Sequence, residues 1–322
     1  MTSRRPGCLA LFALVYAMHT ATQAQYPVKP VRVIVPFPPG GSTDTLARIV
    51  GQRLGETLGQ QVIIENRPGA AGNIGAEITA KAPPDGYTLL VGNLDQAISM
   101  SVYDRLNYSL TKDLAPVTWL AYTPLVVTVH SSLPTKSLKE LVGLAKARPS
   151  QLAVSSPGTG SAGHLAAELL CQMAGVKMNH VPYKGGAPAT MALMTGEVAV
   201  GFPALATVLP YMKSGKVRGL AVTSAERMAA ARDVPTVGEA GLAGYEVVLW
   251  AGLFAPGGTP KDIIAVLNRE SVSALKLREV RERLEAAGLT PVGNTAEQFG
   301  AYVRSEVEKW GKIVRAAGVR AE

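Results

Sequence analysis

Three segments of this chain set glycine and small polar residues where an anion could be held. Pro36-Phe37-Pro38-Pro39-Gly40-Gly41-Ser42, Pro68-Gly69-Ala70-Ala71-Gly72 and Pro157-Gly158-Thr159-Gly160-Ser161-Ala162-Gly163 each follow an apolar strand pattern and precede a helical one. The first backbone N–H groups of a helix have no intrahelical partner, and glycine lets a ligand approach them closely. Each loop can therefore offer several donors to one anion without any Lys or Arg. The chemistry favoured is capture of a small anion.

Catalytic readings of the same residues find less support. Gly158 to Gly163 spells G-x-G-x-x-G between a strand and a helix, but a dinucleotide fold needs an acidic residue about 20 residues on. The next strand here is His180-Val181-Pro182-Tyr183, and no Asp or Glu stands between Glu168 and Glu197. No Lys-Ser/Thr pair follows any glycine loop, so nucleoside triphosphate binding is not indicated. Ser161 and His164 lie one helical turn apart, the reach of a nucleophile–base pair, yet no orienting acid is near and G-x-S-x-G is absent. Helix-start polar structure is the better reading of that pair. His130, His164 and His180 show no ligand spacing with Cys or carboxylate residues, so neither a metal nor a cofactor is expected. Asp44 sits in the first turn after the Gly40-Gly41 loop, where the helix dipole favours it and where it can order waters or loop amides.

The chain is 322 residues long, 47% hydrophobic and 17% charged, with 33 Gly and 22 Pro. That describes an ordered globular protein with room for one large or two medium α/β domains. Arg4 and Arg5, an apolar run from Cys8 to Met18 and the small residues before Gln25 form a signal peptide over residues 1–24, with cleavage expected near Ala24. Cleavage leaves Cys171 as the single cysteine, which excludes an internal disulfide, and the pattern around it makes it a buried core residue. The formal charge of +8 falls to +6 with the loss of Arg4 and Arg5. Lys and Arg are scattered singly, so no nucleic-acid partner is expected, and a mild positive field would draw in anions.

The elements that must carry the loops alternate between strand and helix. Strands are predicted at Val31–Val35, Val62–Glu65, Tyr87–Val91, Leu125–Val129, Leu152–Ser155, His180–Tyr183, Val198–Phe202 and Arg218–Val222, and a long apolar stretch runs near Val247–Ala255. Helices are predicted from Ser42 as N-cap to Gly59, at Gly75–Ala82, after the capping box Ser137-Leu138-Lys139-Glu140, at Leu165–Ala174 and at Ala187–Thr195. Two more helices follow, starting at Thr259-Pro260 and at the capping box Thr295-Ala296-Glu297-Gln298. Such alternation implies parallel sheets covered by helices. Two lobes are expected, residues 25–124 with 250–322 and residues 125–249, joined by chain crossings near Leu125 and Trp250.

Tyr26-Pro27-Val28-Lys29-Pro30, Val33 to Asp44, Glu65 to Gly75 and Pro84-Asp85-Gly86-Tyr87-Thr88-Leu89-Leu90 resemble the Bug-type solute-binding proteins of tripartite tricarboxylate transporters. So do His180 to Gly185, Leu220 to Ser224, Asp233 to Gly241 and Ala255 to Pro260, in order along the whole mature chain. The resemblance implies a two-lobed periplasmic binding protein fold (type II) and a receptor, not an enzyme. It also implies a small organic acid held in the interlobe cleft by backbone amides, hydroxyls and waters, and delivery to a membrane permease. A periplasmic sensor signalling to a two-component kinase is the alternative, and a monomer is expected. The matching ligand positions are Phe37, Gly40, Gly41, Ser42 and Asp44, then Ala70 and Ala71, then Ser156, Thr159, Gly160, Ser161 and His164. Asn93, Asp95, Tyr183 and Phe202 complete the set. Two segments depart from the family. Asn93-Leu94-Asp95-Gln96 stands where members usually carry small hydroxyl residues, and Phe202-Pro203-Ala204 where many have Phe-Asp-Asn. An acid at position 95 facing the cleft would repel a second ligand carboxylate. A bulky β-branched residue at Gly40 or Gly160 is expected to crowd the anion and abolish binding.

Overall fold

The computed structural model describes residues 26–320; the expected signal peptide and its cleavage site lie outside the described residues. In chain order the elements are β1 (Val31–Val35), α1 (Ser42–Leu58), β2 (Val62–Asn66), α2 (Asn73–Ala80), β3 (Thr88–Asn93), α3 (Leu94–Val102), β4 (Leu114–Pro124), β5 (Val126–His130), α4 (Leu138–Ala147), β6 (Ala153–Ser156), α5 (Ala162–Ala174) and β7 (Asn179–Pro182). They continue with α6 (Gly186–Thr195), β8 (Val200–Gly201), α7 (Leu205–Lys213), β9 (Val217–Val222), β10 (Val248–Pro256), α8 (Lys261–Lys276), α9 (Arg278–Ala286), β11 (Thr290–Pro291) and α10 (Ala296–Ala317).

These strands make two sheets, ordered β11-β4-β10-β3-β1-β2 and β7-β6-β8-β5-β9. Both are mixed. The β/α repeats supply the parallel pairs β1–β2, β1–β3, β6–β7 and β6–β8. The strands at the passages between sheets pair antiparallel, as in β10 with β3 and β4, and β5 with β8 and β9. The all-parallel expectation fails there because these strands enter or leave a sheet without a crossover helix. The structure thus has two α/β lobes, one on each sheet.

Alternation along the strands sends side chains to opposite faces of the six-stranded sheet. Val31, Val33, Val35, Leu89 and Val91 share an apolar cluster with Leu46 and Val50 of α1, Leu267 of α8 and Leu284 of α9. Ile34, Leu90 and Phe254 share the other cluster with α3 and α10, and this cluster continues through Val102, Trp310 and Val314 to Leu165 and Leu170 of α5. The lobes therefore meet through packed side chains as well as through their connecting strands.

At the passage between the sheets, Thr223 ties the two crossing segments together. Its Oγ1 donates to Val247 O at 2.6 Å and accepts from Leu125 N–H at 2.8 Å, and its own N–H donates to Leu125 O. Fully buried, Thr223 fastens both crossings at one point.

Several helix starts differ from the sequence reading. Gly41 is the N-cap of α1 and has no side-chain capping bond, so Ser42 is the first helical residue instead. Ser137 caps α4 by accepting the Glu140 N–H, but the expected box does not close, because the Glu140 carboxylate accepts from Lys136 N–H. Thr295 with Gln298 forms a reciprocal capping box on α10. Phe299, Val303, Trp310 and Val314 are all buried, as the helical spacing of α10 predicts. The helices α3, α7 and α9 and the strands β4 and β11 were not anticipated, and β10 was read only as an apolar stretch; α7 contains Pro210, which reads as a helix breaker.

Candidate functional site

The site lies between the lobes, where the N-termini of five helices converge. A cavity of about 50 Å³ is lined from one side by Phe37, Pro38 and Gly41–Thr43 at the entry to α1 and by Asn93 and Asp95 at the start of α3. From the other side it is lined by Ala162 and Gly163 of α5, Gly186 and Ala187 of α6, and Ala204 and Thr207 at the start of α7. Phe202 and Leu249 add apolar wall, and Ser42, Thr43, Ser155, Thr190 and Thr207 supply hydroxyls. A wider mouth of about 860 Å³ shares Phe37, Pro38 and Pro157 with the cavity and extends past Tyr103, Tyr183, Lys184 and Arg320.

The lobes touch around this space. A Cβ built on Gly185 would lie 2.8 Å from Pro38 Cδ, and one on Gly160 would lie 2.5 Å from Val102 Cγ1. Gly185 and Gly160 belong to loops of the five-stranded lobe, Pro38 and Val102 to the six-stranded one. The direct polar link between the lobes here is made by Asp95, whose Oδ1 accepts the Ala162 N–H at 2.6 Å.

The sequence-derived residues divide into three groups. Phe37, Gly41, Ser42, Asn93, Asp95 and Phe202 line the inner cavity, while Ala70, Ala71, Thr159 and Tyr183 line the mouth. Gly40, Asp44, Ser156, Gly160, Ser161 and His164 line neither and stand behind the loops as their supports.

Asp44 is one such support. Its Oδ2 accepts from Gly40 N–H and Arg48 Nε, and its Oδ1 accepts from Asn66 Nδ2, which also donates to Phe37 O. Burial alone would raise its pKa, but the Arg48, Gly40 and Asn66 bonds outweigh that and hold the carboxyl below its ordinary value. Asp44 therefore orders a loop amide, one of the two roles its position allows.

Ser161 and His164 likewise serve the third loop. Ser161 Oγ caps α5 by accepting the His164 backbone N–H, while His164 Nδ1 accepts the Gly160 N–H at 3.0 Å. The His164 Nε2 faces Glu168 at 3.7 Å, so neither ring nitrogen is directed at the serine hydroxyl. The His164 ring stacks on His180 at 3.7 Å, and His180 Nε2 meets Ser156 Oγ at 2.6 Å. Burial, with the nearby His180 adding to it, pushes the His164 pKa down to about 4. A histidine whose folded pKa lies below its unfolded value of about 6.5 stabilises the fold above that pH and loses its contribution as pH falls toward 4. The stability advantage of the wild type over His164→Gln, followed by urea unfolding, should accordingly shrink by up to roughly 3 kcal/mol between pH 7 and pH 4. A gap that stays constant across that range would show that the ring does not titrate as placed.

The second loop carries backbone strain. Ala70 (φ 46°) and Ala71 (φ 52°) are left-handed between Gly69 and Gly72, which also have positive φ. Non-glycine residues held in that region cost on the order of 1–3 kcal/mol each and cluster at functional sites. Gln96, itself fully buried, donates from Nε2 to Ala71 O and helps hold the turn.

Asp95 is the one charged side chain on the inner cavity wall, and it is only 4% exposed. Burial pushes its carboxyl up to about 6, against the lowering by the Ala162 N–H and the Asn93 side chain. Asn93 caps α3 in a reciprocal box with Gln96. The helices α1, α6 and α7 follow Gly41, Gly185 and Ala204, none of which makes a side-chain cap. At α7 the Ala206 N–H is instead taken by Thr123 Oγ1, which leaves α1 and α6 as the starts at the cleft with no side chain on their amides.

Gly186, Ala187, Thr190 and Thr207 were missed by sequence reasoning. The signal for the first two was present: β7, then Lys184-Gly185-Gly186, then α6 is a fourth strand–glycine loop–helix unit. The reason given for keeping Gly40 and Gly160 small also changes. A Cβ on Gly40 meets nothing within 4 Å, and one on Gly160 meets Val102 of the opposite lobe.

Among the described residues no group of three or more His, Cys, Asp or Glu side chains is placed to hold a metal ion. Among them, too, no helix is long and apolar enough to cross a membrane.

Residues 46–319 match the family model described as tripartite tricarboxylate transporter family receptor. The chain is 38% identical over 297 residues to the protein BugT of Bordetella pertussis, covering 92% of this chain and 91% of that protein. Among solved structures, the periplasmic binding protein BugD is similar at 33% identity and a TM-score of 0.88, over 92% of this chain and 100% of BugD. An R. palustris protein with adipate bound is similar at 36% identity and a TM-score of 0.89, over 92% of this chain and 99% of that one. With its two mixed-sheet lobes and its helix N-termini gathered on one cleft, this chain belongs to the tripartite tricarboxylate transporter family receptors, the Bug-type solute-binding proteins.

Proposed function

We propose that this protein is a periplasmic receptor that traps a small organic acid between its lobes and presents it to the membrane permease of a tripartite transporter. Residues 1–24 direct export and are removed. Residues 25–124 with 250–322 form one lobe, residues 125–249 form the other, and the receptor works as a monomer without a cofactor. The observation that carries the reading is the pair of uncapped helix starts facing one cavity from opposite lobes, Gly41–Thr43 of α1 and Gly186–Ala187 of α6. Their amides are free of side-chain caps, so they are the donors open to a ligand carboxylate. The adipate held by the R. palustris relative supports a carboxylate as the ligand class.

Closure follows from the same contacts. A ligand that touches both lobes binds the closed form better than the open one and shifts the equilibrium by that difference alone. The closed shape is what a permease would distinguish. Binding and release suffice for this role, and Ser161 and His164, the residues that a hydrolase reading would use, are spent on the His164 and Gly160 backbone amides.

A thermal-shift screen of refolded, ligand-stripped protein against mono-, di- and tricarboxylates, amino acids and aromatic acids tests the reading. A ligand present at about 100 times its dissociation constant stabilises by roughly 2.7 kcal/mol. Stabilisation confined to carboxylates is the expected result, and no response to any acid would defeat the reading.

A further inference from the structure

The inner cavity holds one formal charge, and it is negative. Asp95 projects from the first turn of α3, in the six-stranded lobe, to the first turn of α5 in the other lobe, where its Oδ1 takes the Ala162 N–H at 2.6 Å. The α5 start is further closed by Ser161, which caps the His164 N–H. That helix start therefore already has an anion on it, supplied by the chain itself. No Lys or Arg lines the cavity to neutralise a second one; Lys184 and Arg320 stand in the outer mouth.

A ligand carboxylate seated on the α1 and α6 amides has its far end confined among Asp95, the hydroxyls and an apolar wall of Phe37, Leu125 and Phe202. A second carboxylate there would face a buried like charge in a low-dielectric space, an arrangement that strongly disfavours one ionised form. An N–H donor at the same place would meet an acceptor already desolvated and held in position. Such a site discriminates well, because a buried acceptor left without its donor is costly.

We propose that Asp95 sets the ligand class: the receptor takes a monocarboxylate whose far end is an amide or similar N–H donor, and rejects the matching dicarboxylate. This rests on the carboxylate-receptor reading above and narrows it.

The test uses isosteric pairs that differ only at the far end, succinate against succinamate and glutarate against glutaramate, titrated calorimetrically at pH 8 into ligand-stripped wild type and Asp95→Asn. The asparagine keeps an oxygen for the Ala162 N–H and removes the charge. Wild type should bind at least one monoamide ten-fold or more tighter than its dicarboxylate partner, and Asp95→Asn should erase or reverse that preference. A wild type that binds the dicarboxylates as tightly as the monoamides overturns the proposal while leaving the receptor reading intact. A preference that survives in Asp95→Asn overturns it as well. The absence of binding by any member of either pair, alongside a carboxylate panel that also fails, removes the receptor reading and this proposal with it. The wild-type comparison stands even if the variant does not fold.

Discussion

Gly160→Val should abolish ligand capture while leaving both lobes folded. Gly160 has φ +74°, where a β-branched residue is strained, and its added Cβ would sit 2.5 Å from Val102 Cγ1. Val102 is 1% exposed at the end of α3, in the lobe opposite the Gly160 loop, and is packed in the apolar cluster the lobes share. The new side chain thus acts as a wedge between lobes. Strain of about 1–2 kcal/mol is expected in the unliganded protein, since left-handed geometry costs an L residue that much. Affinity for the best carboxylate should fall about 100-fold or more, because the closed form becomes the strained one. Gly40→Val is the matched control: φ is +84°, but nothing lies within 4 Å of the added Cβ. It should pay the local strain and bind within a few-fold of wild type. Calorimetric titration of both variants separates the two; equal losses would mean that the glycines matter for their backbone alone, and equal retention would mean that closure at Val102 plays no part.

The largest loss of stability is expected from Glu306→Leu. Glu306 is 6% exposed on α10, and its Oε2 accepts the indole N–H groups of both Trp250 and Trp310 at 3.1 Å. Both tryptophans are fully buried, Trp250 on β10 where the chain has just returned to the six-stranded sheet. Lys309 Nζ, 3.6 Å from Oε1 on the half-exposed side, supplies a weak countercharge. Leucine removes the shared acceptor and leaves two buried donors unpaired, each costing about 1–3 kcal/mol. A combined loss of about 3–5 kcal/mol in urea unfolding is therefore expected, and Glu306→Gln, which keeps an amide oxygen as acceptor, should lose much less. Similar losses in the two variants would show that charge, not acceptance of the indole protons, is what the position needs.

The fold was largely legible because its repeating unit has a strong local signature. An apolar strand, a glycine loop and an amphipathic helix are each visible in a short window, which is how β1–α1, β6–α5 and the capping box of α10 could be placed. Not every unanticipated element lacks that signature. The helix α3 is announced by Gly92 and by the Asn93-Leu94-Asp95-Gln96 capping box, a signal that was overlooked, whereas α7 carries Pro210 in its interior. The strand β4 begins at Leu114-Ala115-Pro116, a proline-bearing segment that becomes a strand by pairing with β10 more than 120 residues later. Such pairing is tertiary and cannot be seen in a local window.

The site was legible to the level of loops but not of atoms. Sequence spacing identified loops that reach the cleft, and Gly41, Ser42 and Asn93 do line it. It could not say which loop residues face inward. Asp44 and His164 follow their loops by about one turn each, and both turn back to hold a glycine amide, Gly40 and Gly160 respectively. Nor could it show that Asp95 bridges to Ala162, a contact between residues 67 positions apart.

Whether the α1 and α6 amides hold the ligand is decided by a crystal structure of the protein with the carboxylate that stabilises it most in the thermal-shift series. The ligand is expected between the lobes, its carboxylate oxygens within about 2.7–3.2 Å of backbone N–H groups in Gly41–Thr43 and Gly186–Ala187. A ligand bound instead in the outer mouth beside Lys184 and Arg320, leaving those amides unused, would contradict this placement.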